Sequence, residues 1–312
     1  MQIRPCLAQA LGLTLLSLAG PVQPEPLRFF ALGDTPYSEA EFVQLEGLLA
    51  EVGKAGPAFV IHVGDIKSGR SVCTDAYTAR LATLFRSLPV PLAYTPGDNE
   101  WTDCGRTGGD PSERLAALRR DFYADPSVLR LAELGAVHPD SAYPENYWFL
   151  AGGALFAAIH VVGSDNGLQR NEPDARAEWQ ARSAANRALL EKAVQAGQVA
   201  GAGALVVFFQ GDPQFGDSAA NPGFGPLLED LGWLLQAFPK PILVIHGDNH
   251  RYILDQPLQD PSTGQPIQRL MRLEVPGSPV VAGVWVTYDP DGPEPFRFDR
   301  TYPSLIPDAA GP

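Results

Sequence analysis

The stretch AFVIHVGD, residues 58–65, is an apolar run interrupted only by His62 and closed by Gly64-Asp65. A run this short that ends at a turn residue is typical of a strand buried on both faces of a sheet. Within such a strand we predict that His62 is a hydrogen-bonded core histidine rather than a ligand. Gly64 permits a sharp turn, so the Asp65 carboxylate is expected to project from the end of the strand.

The same pattern lies on either side of this stretch. Leu27–Leu32 is an apolar run that ends in Gly33-Asp34, and Pro91–Thr95 leads into Gly97-Asp98. The three aspartates are 31 and 33 residues apart, the length of one strand, helix and parallel strand. Helical spacing of apolar residues fills the intervals, over Ser38–Val52 and Thr74–Leu88. The sequence therefore predicts a parallel sheet with three aspartates at its carboxyl edge, where open α/β folds bind ligands.

The rest of the chain continues this alternation and then changes character. Helices are predicted over Pro111–Tyr123, opened by the N-cap Asp110, and over Pro173–Ala200 and Leu227–Phe238. Strands are predicted over Tyr147–Gly152, Ala154–Val162, Ala204–Phe209, Pro241–Ile245, Tyr252–Asp255, Leu270–Val275, Val280–Tyr288 and Phe296–Tyr302. With no obvious interdomain linker, residues 27–302 are predicted to form a single α/β domain.

An excess of acidic residues, 36 against 23 basic ones, gives the chain a formal net charge of −13. Such a charge repels nucleic acid, so no nucleic-acid-binding surface is expected. Phosphate can still bind to an acidic protein where metal ions supply positive charge locally.

The N-terminus has the pattern of an export signal. Arg4 precedes an apolar stretch over Cys6–Ala19, whose last residues, Ser17-Leu18-Ala19, suit signal peptidase. Three prolines up to Pro26 then prevent helix continuation. We predict a signal peptide over residues 1–19 and a periplasmic or secreted protein; the alternative is a buried first helix. No later segment reaches ~18 uninterrupted apolar residues, so no membrane span is expected after signal cleavage.

Two cysteines, Cys73 and Cys104, would remain after that cleavage. Each lies shortly beyond a Gly-Asp turn, so a bridge between them would tie two loops at the same end of a sheet. An even count in an exported protein predicts a disulfide, with two unlinked buried thiols as the alternative.

Aspartates recur at the ends of predicted strands, at Asp34, Asp65, Asp98, Asp212 and Asp248. A single such residue is explained by a helix cap or a turn. Several carboxylates at one sheet edge repel each other, and a divalent cation relieves that repulsion. His250 adds an imidazole two residues beyond Asp248. Oxygen ligands with one or two imidazoles suit Mn, Fe, Mg or Ca better than a thiolate-type zinc site.

In the order and strand context of these motifs, the chain resembles the calcineurin-like metallophosphoesterases from about residue 27 to 250. That family carries Asp-x-His, Gly-Asp, Gly-Asn-His-Asp/Glu, a lone His after an apolar strand, and Gly-His-x-His. The corresponding segments here are Gly33-Asp34-Thr35-Pro36, Gly64-Asp65, Gly97-Asp98-Asn99-Glu100, Gln210 and Gly247-Asp248-Asn249-His250. The resemblance implies a four-layer β-sandwich flanked by helices, whose β-rich tail to about residue 302 completes the second sheet.

Several family residues are replaced in this chain. Pro36 stands where the first motif has His, and Asn99 stands where the family has the His that helps the leaving oxygen. Gln210 and Asp248 each replace a ligating His, and Asp98 replaces a ligating Asn. This pattern suggests a distinct bacterial branch in which carboxylates have taken over from neutral ligands.

Carried over residue by residue, the resemblance implies a site for divalent metal ions, two in number. Asp65 would bridge them, and Asp34 and His250 would hold the first, helped by Tyr37. Asp98, Asp248 and Gln210 would hold the second.

The implied reaction is hydrolysis of a phosphate mono- or diester by metal-activated water, with a small phosphate ester as substrate. Asn99 would contact the substrate and donate a catalytic hydrogen bond. Arg106, in the loop after Cys104, is a candidate to bind the phosphate, with an ordinary exposed loop arginine as the alternative. Because Asn99 cannot deliver a proton, the site would favour esters with good leaving groups or require another donor such as His62 or His246; His246 fits a catalytic or a structural role equally. The alternative is a catalytically impaired protein of the same fold that binds a cation or ligand.

Overall fold

The computed structural model describes residues 25–169, 173–215 and 220–301. The predicted signal peptide, residues 1–19, and the last residue of the predicted strand Phe296–Tyr302 lie outside these ranges. The strands are β1 Leu27–Leu32, β2 Val60–His62, β3 Leu92–Tyr94, β4 Tyr147–Ala151, β5 Ala154–Ala158, β6 Ala204–Phe208, β7 Ile242–His246, β8 Ile253–Asp255, β9 Leu270–Glu274, β10 Gly283–Tyr288 and β11 Phe296–Thr301. The α-helices are α1 Glu39–Ala55, α2 Asp75–Arg86, α3 Pro111–Leu118, α4 Pro126–Leu129, α5 Ala175–Ala200 and α6 Gly225–Ala237.

The first sheet has the strand order β11-β10-β1-β2-β3. Strands β1, β2 and β3 are parallel neighbours, as the spacing of the Gly-Asp turns predicts. Their carboxyl ends therefore lie side by side.

The second sheet has the order β4-β5-β6-β7-β9-β8. The predicted hairpin is present, because β4 pairs antiparallel with β5 across Gly152-Gly153. The prediction that the whole tail completes this sheet is wrong for β10 and β11, which extend the first sheet instead. Strand β10 covers the edge of β1, whose residues Phe29 and Phe30 are fully buried and whose backbone would otherwise lack partners on that side.

Each sheet is apolar on both faces, as four layers require. In β5, Phe156 and Ala158 belong to the core between the sheets, whereas Leu155 and Ala157 belong to the core under α5 and α6. Rings from both sheets meet in the first core, where Phe59 lies 5.1 Å from Phe156 and 5.2 Å from Phe149 between ring centroids. The fold is thus a helix-flanked β-sandwich, as the resemblance implies.

The helices follow local signals with two departures. Ser38 caps α1 by accepting a hydrogen bond from the Glu41 N–H. Helix α5 begins at Ala175 rather than at Pro173. The helix predicted over Pro111–Tyr123 becomes a π-helix after Leu118. Within the described ranges, no helix has both the length and the apolar character to cross a bilayer.

Cys73 and Cys104 form a disulfide, with Cα atoms 5.8 Å apart. The predicted bridge is therefore present. It joins the loop after β2 to the loop after β3, beside the carboxyl edge of the first sheet.

Candidate metal centre

The carboxyl edges of the two sheets meet at the aspartates that follow their strands. Asp34, Asp65 and Asp98 come after β1, β2 and β3, and Asp248 comes after β7. The backbone N–H of Asp248 donates to Asp34 Oδ1 at 2.9 Å, which joins one sheet to the other. Aspartates from chain segments more than 200 residues apart are thereby brought into one cluster.

Two groups of side chains in this cluster have ligand atoms within 4.8 Å of one another. The first group is Asp34, Asp65 and His250, and the second group is Asp65, Asp98 and Asp248. Asp65 belongs to both groups, so it is the residue that would be shared between two cations. This is the arrangement implied for a site that binds two metal ions through one bridging carboxylate.

The backbone at the cluster is strained. Asp34, Asp65, Asp248 and His250 have φ values of 53°, 56°, 85° and 59°. This left-handed region is uncommon for residues other than glycine, and such residues concentrate at functional sites. The turn lets each side chain leave the strand end toward the common centre.

Two glycines allow the carboxylates to approach this closely. A Cβ on Gly97 would lie 2.1 Å from Asp65 Oδ1, and one on Gly247 would lie 2.1 Å from Asp34 Oδ2. Real Cβ atoms do not approach oxygen so closely. Asp65 therefore requires a glycine at position 97, and Asp34 requires one at position 247.

Burial makes these carboxylates unfavourable as isolated anions. Burial raises the pKa of both Asp34 and Asp65 well above 3.8, and neighbouring carboxylates raise it further. Burial and the Asp98 charge likewise raise the pKa of Asp248 to about 7. A bound cation would supply the missing positive charge and lower these pKa values.

The residues present fit divalent cations. Asp34 Oδ2 is buried and makes no hydrogen bond to any described residue. An orphaned buried carboxylate oxygen costs free energy unless it binds a proton or a cation. The donor set of carboxylates with one imidazole suits Mn, Fe, Mg or Ca.

His250 is oriented by its second nitrogen. Its Nδ1 lies 2.6 Å from the Ser278 carbonyl oxygen, so Nδ1 carries the proton and donates it. Nε2 is left with its lone pair, 3.1 Å from the Tyr37 hydroxyl and 3.9 Å from Asp34 Oδ1. Metal-binding histidines are held by such a carbonyl bond.

Tyr37 and Asn99 cover the bridging carboxylate. The Tyr37 hydroxyl donates to Asp65 Oδ2 at 2.8 Å, and the Asn99 amide donates to the same oxygen at 2.6 Å. Asn99 also donates to the Tyr37 oxygen at 2.7 Å. Burial and the carboxylates raise the pKa of Tyr37 well above 10, so it remains a donor.

Gln210 lies beside the second group and has two partners there. Its carbonyl oxygen accepts the Gly163 N–H at 2.6 Å, and its amide donates to Asp248 Oδ1 at 3.3 Å. Gln210 therefore supports Asp248 through its amide, and its role as a ligand stays a prediction.

His246 lies behind the cleft rather than in it. Its ring is fully buried and stacks on Phe209, with centroids 5.9 Å apart. Burial lowers its pKa to about 4, so it is neutral at pH 7. His62 is also enclosed: Nδ1 accepts the Gly64 N–H and Nε2 lies 3.2 Å from the Thr35 oxygen. Neither histidine lines the cleft above the cluster.

The cleft above the cluster has a volume of about 440 Å³. Arg106 lines it and pairs with Asp103 and the Ser164 hydroxyl. Arg70 also lines it.

Sequence reasoning missed three residues near the cluster. Lys67 is buried and donates to the Ser68 and Asn99 carbonyl oxygens. Asp103 and Ser164 form hydrogen bonds or ion pairs with the cluster's neighbours. None of them stands in a recognisable motif. Their loops are brought in by the disulfide and by the second sheet, which local patterns do not reveal.

The fold and the paired ligand groups define a metallophosphoesterase-like protein. A model of the calcineurin-like phosphoesterase family matches residues 27–252, most of the chain. The chain belongs to the calcineurin-like phosphoesterase family, and this membership supports a phosphoesterase function.

Solved structures share the fold. PhoD is similar with a TM-score of 0.53 and 13% identity, over 86% of this chain and 66% of PhoD. A dimetal phosphatase from Danio rerio has a TM-score of 0.51 and 12% identity, over 89% of this chain and all of that protein. No curated protein sequence matches the chain.

Proposed function

We propose that the protein is an exported hydrolase of a small phosphate mono- or diester that depends on two divalent cations. The observation that carries the proposal is the pair of ligand groups that share Asp65. When bound, the cations would supply the charge that attracts phosphate and activates water. The family match supports phosphoester hydrolysis.

The chain's own residues would divide the work around this centre. Asp34, Asp65 and His250 would hold one cation, and Asp98 and Asp248 the other with Asp65. The second group contains three carboxylates and no imidazole. It would favour a hard cation, and its negative charge would weaken the pull on phosphate.

Asn99 and Tyr37 line the cleft. Their side-chain protons are donated to Asp65 and, from Asn99, also to the Tyr37 oxygen. They would stabilise charge on a phosphoryl oxygen by turning from these partners once cations neutralise Asp65. With His246 enclosed, no histidine of the cleft other than His250 is available among the described residues. We therefore expect a preference for esters whose leaving groups need little protonation, such as aryl phosphates.

Export is supported by two features of different kind. The N-terminal residues have the pattern of a signal peptide. The Cys73–Cys104 disulfide is typical of proteins that fold in an oxidising compartment.

The test is metal content and turnover of the same preparation. Protein purified without chelator should retain close to two divalent cations and hydrolyse an aryl phosphate with added manganese. Asp65→Asn should lose both properties, whereas Asp291→Asn, on an exposed turn, should keep both. A preparation that binds no cation, or an Asp65→Asn variant of unchanged activity, would refute the proposal.

A second candidate function is cation or ligand binding without catalysis. It is favoured by Asn99 at the position of the family's proton-handling His. Full cation binding with no hydrolysis of aryl or alkyl phosphate esters would select this function.

A further inference from the structure

A left-handed turn, Gly163–Asn166, lies directly against the second group (Asp65, Asp98 and Asp248). Ser164, Asp165 and Asn166 have φ values of 55°, 55° and 54°. Left-handed geometry costs roughly 1–2 kcal/mol per residue other than glycine and rarely continues for several residues. Three such residues in a row therefore require a compensating reason.

The turn is held by buried partners from other parts of the chain. Arg182, fully buried, donates to both the side-chain and the main-chain oxygen of Asn166 at 2.6 and 2.8 Å. The Gly223 N–H donates to the Asp165 carboxylate at 2.7 Å. A strained backbone persists where several interactions hold it in place. The hydrogen bonds from Arg182 and Gly223 hold this turn in that way.

The left-handed turn places the Ser164 hydroxyl next to Asp98, a carboxylate of the second group. Ser164 Oγ donates to Asp98 Oδ2 at 2.7 Å. Asp98 Oδ1 makes no hydrogen bond that the described residues reveal, so it is the oxygen left for a cation. The same hydroxyl accepts a hydrogen bond from Arg106 at 3.0 Å. Ser164 thus links a candidate ligand to the candidate phosphate contact.

The backbone of the turn forms part of the same wall. A Cβ on Gly163 would lie 2.6 Å from Asp248 Oδ1 and 2.8 Å from Asp98 Oδ1. Gly163 also donates to Gln210, which donates to Asp248. Asp98 and Asp248, the two carboxylates that belong only to the second group, therefore both pack against this turn.

We propose that Ser164 is a positioning residue of the second group, where its hydroxyl fixes Asp98 for cation binding and orients Arg106 over the cleft. This inference rests on the proposed function, because it needs cations at the two groups. It assigns the strained turn a role that neither the family motifs nor the sequence pattern indicates.

The experiment is calorimetric titration of chelator-stripped protein with Mn²⁺, which needs no turnover. Wild type is expected to bind two ions. Ser164→Ala should bind one ion normally and the other about 10- to 100-fold more weakly, as is typical when the support of a ligand is lost. Ser183→Ala is the matched control, because it removes a buried hydroxyl that makes no hydrogen bond to any residue the structure describes; it should match wild type.

Ser164→Gly separates the hydroxyl from the shape of the turn. Glycine relieves the left-handed strain and still removes the hydroxyl, so it should weaken the same ion as much as Ser164→Ala does. Wild-type binding by both Ser164 variants would overturn the positioning role, and so would recovery by Ser164→Gly alone. A wild type that binds no Mn²⁺ would overturn the proposed function and this inference with it.

Discussion

The Tyr37 hydroxyl lies 2.8 Å from Asp65 Oδ2 and donates a hydrogen bond to it. Asp65 is the carboxylate shared by the two groups, and Tyr37 also lies 3.1 Å from His250 Nε2. One phenol therefore touches a bridging oxygen and an imidazole ligand atom. Tyr37 follows Pro36, which replaces the family's first histidine. The turn therefore places a tyrosine hydroxyl, not a histidine, at the centre.

Tyr37→Phe should weaken Mn²⁺ binding at the first group by about tenfold, because Asp65 loses a hydrogen-bond donor that helps to fix its position. Titration calorimetry measures the change. Tyr143→Phe is the control, since the Tyr143 hydroxyl makes no hydrogen bond within the described part of the chain and its ring contact with Arg119 is kept. Unchanged affinity in Tyr37→Phe would show that Tyr37 only fills space.

Gly97→Ala should disrupt the centre although it adds a single methyl group. The new Cβ would lie 2.1 Å from Asp65 Oδ1 and 2.5 Å from its backbone nitrogen. We expect a loss of about 1–3 kcal/mol in the free energy of unfolding, as for other overpacked sites, and fewer bound cations.

Denaturant unfolding and metal analysis test this prediction. Gly232→Ala, inside α6 with open space around its Cβ, should instead stabilise the protein by about 0.5–1 kcal/mol. Equal effects of the two substitutions would contradict the argument from contact.

Stability should fall in acid partly because of His62. Burial lowers the pKa of His62 from 6.5 to about 4. A group whose folded pKa is depressed contributes stability above its unfolded pKa, and that stability is lost as the pH falls from about 6.5 to 4. The full shift corresponds to roughly 3 kcal/mol.

The measurement is the free energy of unfolding of chelator-stripped protein between pH 7 and pH 4. His62→Gln retains a donor and an acceptor but does not titrate, so its curve should fall less steeply than that of wild type. Parallel curves for the two proteins would show that other groups account for the acid sensitivity.

Removing the disulfide should affect stability and the cleft together. Cys73 and Cys104 are 31 residues apart, and closing a loop of that length restricts the unfolded chain by about 3–4 kcal/mol. The double variant Cys73→Ala/Cys104→Ala should lose stability of that order. Its KM for an aryl phosphate should rise more than its kcat falls, because Arg70 and Arg106 lie in the two joined loops.

Unfolding and steady-state kinetics of the double variant, with and without reductant, check this prediction. Wild type treated with reductant should shift in the same direction, and the variant should not respond to it. An unchanged KM would show that the disulfide does not position Arg70 and Arg106 in the cleft.

The sequence by itself determined the strands and the Gly-Asp turns that end them. A strand is indicated by a short apolar run, and its end is indicated by a glycine such as Gly64. Both signals depend on only a few neighbouring residues, so they can be identified from the sequence alone. The spacing of Asp34, Asp65 and Asp98 was sufficient to predict three parallel neighbours.

Only the tertiary structure decided which further side chains support the predicted ligands. Ser164 reaches the centre because the second sheet meets the first, and no local pattern specifies where two sheets touch. The same packing directs Gln210 toward Gly163 and encloses His246. Local patterns do not reveal the surroundings of these two residues, because their hydrogen-bond partners and burial depend on distant segments of the chain.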